Sequence, residues 1–454
     1  MNDAPLHVGV DIGTQGARAV AVRADGTVDA RAAHPLDVPA PGPAQEQSPD
    51  AWWDALVAVV RGLGDARRRV VSLALSCTSG TVCCLDADGR SVGPGLLYAD
   101  RRSADRADVD PSWASSKIAW LTAERPQIAD RTVWFTSPGG FLATRLVGGD
   151  APIDVTQALK FGFDPERWEW GPAAVETARL PKVVETGASI APIEGRVAAE
   201  LGLPDGVVAA AGATDGVAGQ FACRPSPSRW AVAIGSTIVW KAMSARRIDA
   251  ADSGVYSHRG PDGWWLPGAA SNSGARALSS WATTEELVEF DRSVVITPST
   301  RAVLPLVGRG ERFPFVDPAF AAPSLEGLPG RERYAAEVLG IAFVERWGCE
   351  VLVRHGCERP TAIATTGGAV ASSSWSRLRA DVLQVPLEVP AEASSAFGAA
   401  VIAAAPLLGG VLAAGDAMVR VVERFEPDPT TADAWDGAFE RFQQQCEAQR
   451  GGSA

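Results

Sequence analysis

The chain has 454 residues, of which 46% are apolar and 21% charged, so its composition is globular and its length suits two hydrophobic cores. A net charge of -12 disfavours nucleic acid or an anionic membrane surface as the main partner. The four histidines lack ligand spacing and the seven cysteines are sparse, which argues against a metal site built on them and favours reduced thiols.

The first stretch that carries chemistry begins close to the N-terminus. Residues 1–5 lack the basic and apolar regions of a secretion signal. Residues 8–10 then predict a buried strand, Asp11 ends it, and Gly13 and Thr14 form a turn before a second strand at 18–22. Backbone N–H groups of such a turn can hold a phosphate, and an acidic residue at its base can hold Mg²⁺ through water. An ordinary hairpin turn is the alternative.

The next elements follow a similar pattern. Ser48 and Pro49 predict the start of a helix that runs to about Leu63. Residues 70–75 and 82–85 predict two strands around a turn at 76–81, and we interpret them as a second hairpin.

The middle of the chain predicts a repeat of this arrangement. Residues 206–219 predict a strand of small residues that delivers Asp215 to the N-terminus of a helix. The Pro-rich stretch 224–228 is the candidate domain boundary, and residues 230–239 predict a third strand–turn–strand unit. These repeats indicate a duplicated α/β fold that holds a nucleotide between its halves.

Residues 396–415 carry no charge and are about long enough to cross a bilayer. They are rich in Ala and Gly and are interrupted by Pro406 and by Gly409 and Gly410. We therefore expect a buried Ala-rich helix followed by a loop.

Several segments along most of the chain resemble the FGGY carbohydrate kinases of the actin/hexokinase-like ATPase superfamily. The segments are residues 116–121, 334–343, 367–375, 392–400 and 418–429. Within that family the chain is most similar to the cyanobacterial and plant ribulokinase-like (xylulokinase-like) sugar kinases. The residues that carry this closer resemblance are 234–241, 254–258, 268–274 and 308–318.

The chain departs from the family pattern at two places. The usual Asp-Gly-Thr-Ser-Gly-Thr begins with Ser76 and Cys77 here, which removes an acidic group near the sugar end. Ala369 and Ala371 replace the third glycine and the lysine of the adenosine motif.

The resemblance implies an α/β fold of two actin-like (ribonuclease H-like) domains with a nucleotide and sugar cleft between them. It implies an N-terminal domain at 1–225 with the sugar side and the catalytic base, and a C-terminal, nucleotide-side domain at 226–428. We expect a helix at 429–454 to pack back on the N-terminal domain.

The resemblance also implies the residues of the sugar side. Asp215 is the expected general base, although a helix N-cap is its alternative interpretation. Asp11 is the expected metal- and sugar-facing carboxylate and shares the catalytic role. Ser79, its neighbour Thr78, and Asp100 are sugar-contact candidates, although Asp100 beside two arginines equally fits an exposed surface ion pair.

The nucleotide side is implied in the same way. The expected ATP-binding residues are Gly13, Thr14, Gln15, Gly235, Ser236, Thr237, Asn272, Gly367, Gly368 and Ser372. For Gly235 to Thr237 a plain hairpin is the alternative, and for Asn272 a turn asparagine. Lys117 and Trp120, which belong to the signature segment at 116–121, are interpreted as structural.

The function implied is an ATP-dependent, Mg²⁺-assisted sugar kinase acting on a ketopentose, D-ribulose first. D-xylulose, another sugar or polyol, and a non-catalytic nucleotide-binding regulator on the same fold remain alternatives. The expected partners are the sugar and ATP, without nucleic acid or membrane, for a cytoplasmic monomer or homodimer.

Overall fold

A computed structural model describes residues 4–105, 110–172 and 176–451. The first three residues of the N-terminal segment discussed above lie outside the described residues, as do the last three of the expected C-terminal helix segment. The chain divides into two compact units. The first unit is Met1–Arg224 with His258–Gly263 and Glu392–Arg420, and the second is Pro225–Ser257 with Trp264–Ala391 and Val421–Ala454.

The strands, in chain order, are β1 (Leu6–Gly13), β2 (Gly16–Arg23), β3 (Val28–Pro35), β4 (Glu46–Gln47), β5 (Val70–Cys77), β6 (Cys83–Leu85), β7 (Gly95–Leu96), β8 (Trp134–Thr136), β9 (Ile153–Asp154), β10 (Phe163–Asp164), β11 (Glu169–Trp170), β12 (Val183–Val184), β13 (Ser189–Pro192), β14 (Val208–Thr214), β15 (Arg229–Ile234), β16 (Ile238–Lys241), β17 (Tyr256–Arg259), β18 (Trp265–Ala270), β19 (Arg309–Glu311), β20 (Asp317–Ala321), β21 (Ala362–Thr366), β22 (Leu387–Pro390) and β23 (Val421–Phe425). The helices are α1 (Pro49–Gly62), α2 (Ala114–Glu124), α3 (Pro126–Ala129), α4 (Pro138–Val147), α5 (Val155–Ala158), α6 (Gly195–Leu201), α7 (Asp215–Phe221), α8 (Arg276–Ser279), α9 (Thr284–Ser293), α10 (Gly330–Arg354), α11 (Ser373–Leu383), α12 (Ser395–Leu408), α13 (Val411–Met418) and α14 (Ala432–Gly451).

The sheet of the first unit has the order β13-β14-β5-β1-β2-β3. Strands β1, β5 and β14 are parallel, whereas β2, β3 and β13 run antiparallel to their neighbours. The predicted hairpin of β1 and β2 is confirmed, with Gly13 opposite Gly16.

Alternation along β1 builds layers on both faces of this sheet. Leu6, Val8 and Val10 are buried with the apolar side of α1. Gly9 faces the other way, where a Cβ would fall on the backbone of Ala396 and Ala400. Helix α12 therefore packs directly on β1, which only a residue without a side chain permits.

The second sheet repeats the first. Its order is β17-β18-β16-β15-β21-β22-β23, in which β15, β21 and β22 are parallel and β16, β18 and β23 are antiparallel to their neighbours. Six strands thus match the first sheet in order and direction, which confirms the predicted duplicated α/β fold.

The structure corrects the predicted role of the C-terminal helix. Helix α14 lies in the second unit and contributes Trp435, Phe439 and Phe442 to its core. The ring centroids of Phe439 and Phe442 lie 5.7 and 5.3 Å from that of Phe343 in α10. The prediction that this helix packs on the N-terminal domain is wrong, because its apolar side matches aromatic side chains of the second core.

The predicted contiguous domains also need correction. The first change of unit falls between Arg224 and Pro225, but residues Glu392–Arg420 return to the first unit with α12 and α13. Composition predicts the boundary at the Pro-rich stretch. The return of the chain to the first unit depends instead on where the small residues of α12 can pack.

The second predicted hairpin is wrong. Strand β5 lies between β1 and β14, while β6 pairs with β8 in a separate two-stranded sheet. Both strands are where the sequence predicts them, but their partners are distant in the chain.

The Ala-rich segment forms α12, as predicted, but helix α13 stands where a loop was expected. Among the described residues no single helix is long and apolar enough to cross a membrane. Within the described part of the chain one pair of helices, α12 and α13, passes the same test of length and composition when taken together, and the two are bent by 115°.

Candidate active site

Three neighbouring strand ends bring the sugar-side candidates together in the first unit. The parallel strands β1, β5 and β14 carry Asp11, the segment from Ser76 to Ser79, and Asp215 at or just after their carboxyl ends. Asp11 lies opposite Ser76 in the ladder, and Ser76 lies opposite Ala213. Ligand sites of open α/β sheets lie at this edge.

Asp11 is a buried carboxylate in contact with polar neighbours. Its Oδ1 accepts a hydrogen bond of 2.8 Å from Ser76, and its Oδ2 lies 4.0 Å from Arg18. Burial raises the pKa of Asp11 to about 6, and the negative charge of Asp215 adds to the rise, while Ser76 and Arg18 oppose it. The charge of Asp215 thus acts on the ionisation of Asp11.

Asp215 is exposed and is the first residue of α7. Its Oδ1 accepts a 2.7 Å hydrogen bond from the N–H of Gly216. The N-cap position belongs to Thr214, so the N-cap interpretation of Asp215 is wrong.

The turn after β5 holds Thr78 and Ser79. The Thr78 hydroxyl lies 2.9 Å from that of Thr81, which also accepts a hydrogen bond from the N–H of Tyr98. The Ser79 hydroxyl is buried and has no hydrogen-bond partner within the described part of the chain. A hydroxyl in that state is suited to a ligand, because a buried polar group without a partner is costly.

Asp100 follows β7 and is buried rather than exposed. Its carboxylate accepts hydrogen bonds from the N–H of Gln45 at 2.8 Å and from the guanidinium of Arg102 at 2.7 Å. The expectation of an exposed surface ion pair is therefore wrong in its exposure, although the ion pair exists. Both carboxylate oxygens are already engaged by protein donors.

The two signature residues interpreted as structural make contacts inside the first unit. Lys117 is buried, and its ammonium donates to the carbonyl oxygens of Pro111 and Trp113. Burial lowers its pKa to about 8. The guanidinium of Arg102 lies 4.3 Å from the ring centroid of Trp120.

The first phosphate-turn candidates form the tip of the β1–β2 hairpin. Thr14 and Gln15 are its two turn residues, after Gly13. The carbonyl of Thr14 accepts from the Gln47 amide at 2.8 Å, and that of Gln15 accepts from the N–H of Leu36 at 3.1 Å. Protein donors therefore bind the carbonyl oxygens of this turn.

In the second unit two glycine turns lie side by side. Gly235, Ser236 and Thr237 connect β15 and β16, and Gly367 and Gly368 follow β21, the parallel neighbour of β15. Gly367 has φ +86°, and a Cβ there would fall on the backbone of Ile234. A Cβ at Gly368 would have no neighbour within 4 Å. The first glycine is required by packing, and the second leaves room for a ligand.

Asn272 is held by a buried acidic residue. Glu311 accepts from the N–H of Asn272 at 2.7 Å and from the hydroxyls of Ser271 and Ser273 at 2.8 and 2.6 Å. The side-chain amide of Asn272 donates to the carbonyl of Gly310 at 2.8 Å. The residue is thus a fixed loop position rather than a simple turn asparagine.

Ser372 is the N-cap of α11 and belongs to an aromatic network. Its hydroxyl accepts from the N–H of Trp375 and donates to Asp291 at 2.8 Å. Asp291 also accepts from the Tyr334 hydroxyl, whose pKa is raised by burial. A cavity of about 340 Å³ lies here, lined among others by Asp291, Tyr334, Trp375 and Trp435.

Some residues of these surroundings were not predicted. They are Ser76, Asp154, Thr156, Asp291 and Glu311. The spacing of Asp154 and Thr156 resembles a helix N-cap and could have indicated a turn. Their contact with β14 spans 58 positions of sequence, which no local pattern reports.

The surroundings of Asp11 fit a magnesium ion held mainly by its substrate. Among the described residues no group of three or more His, Cys, Asp or Glu side chains could hold a metal. Mg²⁺ commonly uses one or two carboxylates together with water and substrate phosphates. The buried carboxylate of Asp11 offers one such ligand.

Family models match more than half of the chain. Residues 6–109 match the N-terminal domain of the FGGY family of carbohydrate kinases, and residues 231–407 match its C-terminal domain.

Similar proteins extend over nearly the whole length. A xylulose kinase of Streptomyces coelicolor is 28% identical over 440 residues, which cover 90% of this chain and 89% of the relative. The crystal structure of a xylulose kinase from Rhodospirillum rubrum has a TM-score of 0.84 at 24% identity and covers 98% of each chain. A gluconate kinase from Lactobacillus acidophilus has a TM-score of 0.86 at 18% identity, again over 98% of each chain. These two structural likenesses establish the two-domain sugar-kinase fold.

Proposed function

The chain belongs to the FGGY family of carbohydrate kinases, and on that premise we propose that it transfers the γ-phosphate of ATP to a hydroxyl of a ketopentose. The observation that carries the proposal is the placement of Asp11 and Asp215 at the carboxyl ends of β1 and β14, the two parallel neighbours of β5. Phosphoryl transfer needs a group that takes the hydroxyl proton and groups that position the reactants.

Asp215 is the proposed general base. Its carboxylate is exposed, so a sugar hydroxyl can reach it, and it starts a helix. Asp11 is proposed to orient the sugar and to hold Mg²⁺, which would neutralise phosphate charge when bound. Ser79 is the proposed sugar contact, with Thr78 beside it. Asp100 is the weakest of the sugar candidates, because protein donors already occupy its carboxylate.

The nucleotide is proposed to bind through the glycine turns. Gly13 to Gln15 and Gly235 to Thr237 would face phosphates, and Gly367 with Gly368 would lie against adenosine. The cavity beside Ser372, with its aromatic lining, supports a site for a flat base there. Asn272 is proposed as a further nucleotide contact from its fixed loop.

Two ketopentoses are candidates for the acceptor. Resemblance to ribulokinase-like kinases at residues 234–241, 254–258, 268–274 and 308–318 favours D-ribulose. The xylulose kinases among the similar proteins favour D-xylulose. Comparing kcat/KM for the two sugars with Mg²⁺ and ATP decides between them, in a panel that includes aldoses, polyols, glycerol and gluconate. ATP consumption that no sugar increases would support the regulator alternative instead.

We propose a cytoplasmic monomer or homodimer, and light scattering can measure which of the two forms in solution.

Replacing Asp215 with Asn tests the base directly. We expect kcat to fall roughly a hundredfold or more, the usual contribution of a general base, while ATP still binds. Asp205→Asn, an exposed residue before β14, is the matched control and should keep wild-type kcat. Phosphorylation by Asp215→Asn within about tenfold of wild type would contradict the assignment.

A further inference from the structure

A short turn beside the sugar-side strands forms a compact polar cluster. Asp154 ends β9 and is the N-cap of the four-residue helix α5. Its Oδ1 accepts from the N–H groups of Thr156 and Gln157 at 2.9 and 3.0 Å, and from the Thr156 hydroxyl at 2.5 Å. All three residues are buried. We call this cluster of Asp154, Thr156 and Gln157 the capped turn.

The capped turn reaches two of the three strand ends. The Thr156 hydroxyl accepts a 2.9 Å hydrogen bond from the N–H of Thr214, the residue immediately before Asp215. The Gln157 amide donates at 3.1 Å to the carbonyl of Cys77, immediately after Ser76. Each contact therefore lies one residue from a group of the candidate site.

The Thr156 hydroxyl has one orientation in this network. Its single hydrogen is donated to Asp154, so its lone pairs are left for the N–H of Thr214. Asp154 therefore acts through Thr156 on the backbone at the start of α7.

The end of β14 receives this contact from outside its own ladder, although its pairing with β5 resumes at Ala213 and Thr214. The pairing of β14 with β5 shifts register between Ala210 and Ala213. In the interrupted part, a Cβ at Gly212 would fall on the carbonyl of Leu75. The contact from Thr156 holds the strand directly after this irregularity.

We propose that Thr156, oriented by Asp154, is a positioning residue that fixes Asp215 relative to Asp11 for phosphoryl transfer. The inference rests on the proposed function of Asp215. Gln157 holds the end of β5 in the same way, through the carbonyl of Cys77, next to the Ser76 that donates to Asp11. A capped helix end alone would need only the bonds to Asp154, whereas the contacts to Thr214 and Cys77 connect the turn to both sides of the site.

The test compares Thr156→Val with Thr156→Ser in the full-length protein. Valine keeps the shape and removes the hydroxyl, whereas serine keeps the hydroxyl. We expect kcat of Thr156→Val to fall by roughly ten- to a hundredfold, since a small misplacement of a reacting group costs about this much. KM for ATP should stay within about twofold of wild type, because the nucleotide is not the group displaced. Thr156→Ser should restore kcat to within about threefold of wild type.

A merely structural role gives a different result. Thr156→Val that loses folded protein but keeps kcat per folded molecule would overturn the proposal, as would equal losses in the valine and serine variants. Amide hydrogen exchange at Thr214 supplies a readout independent of activity. It should accelerate several-fold in Thr156→Val but not in Thr156→Ser, and unchanged exchange would also overturn the proposal.

The two assignments fail separately. If Asp215 is not the base, Asp215→Asn stays active while Thr156→Val still exposes the Thr214 amide to exchange. If only the positioning is wrong, Asp215→Asn is inactive and Thr156→Val keeps wild-type kcat.

Discussion

The fold buries the carboxyl group of Asp154, and this burial opposes its ionisation. Burial raises its pKa to about 6, from 3.8, even though hydrogen bonds from Thr156 and Gln157 lower it. Because the folded pKa lies above the unfolded one, the folded state is favoured by protonation. This contribution is fully present below pH 3.8 and is lost as the pH rises through about 6.

Asp154→Asn should therefore stabilise the protein in a pH-dependent way. The amide oxygen can accept the same three hydrogen bonds, since all of them reach one oxygen, and it carries no charge. A pKa difference of about two units is worth about 3 kcal/mol. Urea denaturation of both proteins should show the free energy of unfolding of the variant gaining roughly that amount over wild type between pH 4 and pH 7. A difference that is the same at both pH values would show that Asp154 does not ionise in this range.

Individual residues of the site differ in how far the sequence alone can place them. Asp11, Gly235 and Gly367 stand at strand ends, and a strand followed by a turn is a local pattern. The sequence also places Asp215 at a strand end. Its N-cap alternative could be excluded only by knowing that Thr214 takes the N-cap position. Ser76 and Thr156 could not be predicted, because their partners are 65 and 58 positions away.

At the scale of elements, the helix α12 is unusual in how closely it approaches a strand. A Cβ at Gly9 in β1 would fall on the backbone of Ala396 and Ala400, and one at Gly398 would fall on that of Ala218. Backbone atoms cannot move aside as the end of a flexible side chain can. The glycines at these two contacts thus set the distance between the helix and its neighbours.

Gly9→Ala should destabilise the first unit although it adds only one methyl group. Overpacking typically costs about 1–3 kcal/mol, and we expect the upper end because both neighbours are backbone. Gly195→Ala in α6 is the control, since its Cβ meets nothing within 4 Å, and it should be neutral or stabilising. Thermal unfolding of the two variants measures the difference. Equal melting temperatures would mean that α12 can shift away from β1 without loss.

Element positions were easier to predict than element pairing. The α1 helix, the β1–β2 hairpin and the β14–α7 unit follow from local periodicity and turn residues. Strands β5 and β6 were placed but paired wrongly, since the partners of a strand depend on the whole sheet. Helix α14 was assigned to the wrong unit for the same reason, because its apolar side identifies no partner.

At the scale of the whole molecule, each unit contains chain from distant parts of the sequence. The first unit needs Glu392–Arg420 to complete it, with ten buried residues in α12 alone. A fragment of residues 1–224 lacks the layer that covers β1, β5 and β14 on the side of Gly9.

That fragment should fail to reach a native first unit. Uncovered apolar surface of this extent favours aggregation or a molten state. Joining residues 392–420 to the fragment through a flexible Gly/Ser linker is the matched control and should restore cooperative unfolding. Circular dichroism, dye binding and light scattering compare the two. A cooperative, monomeric fragment of 1–224 would show that α12 is dispensable to the first unit.

The late position of α12 in the sequence also determines when, during translation, the first unit can complete its fold. A ribosome that has finished residue 224 must still add about 180 residues before α12 is complete, which takes on the order of 10–40 s at ordinary elongation speeds. Throughout that interval the nascent first unit has a bare sheet face, the kind of surface that chaperones bind. The second unit is also incomplete then, because β23 and α14 follow α12. Both units therefore mature almost together, only after α12 and the elements that follow it have been made.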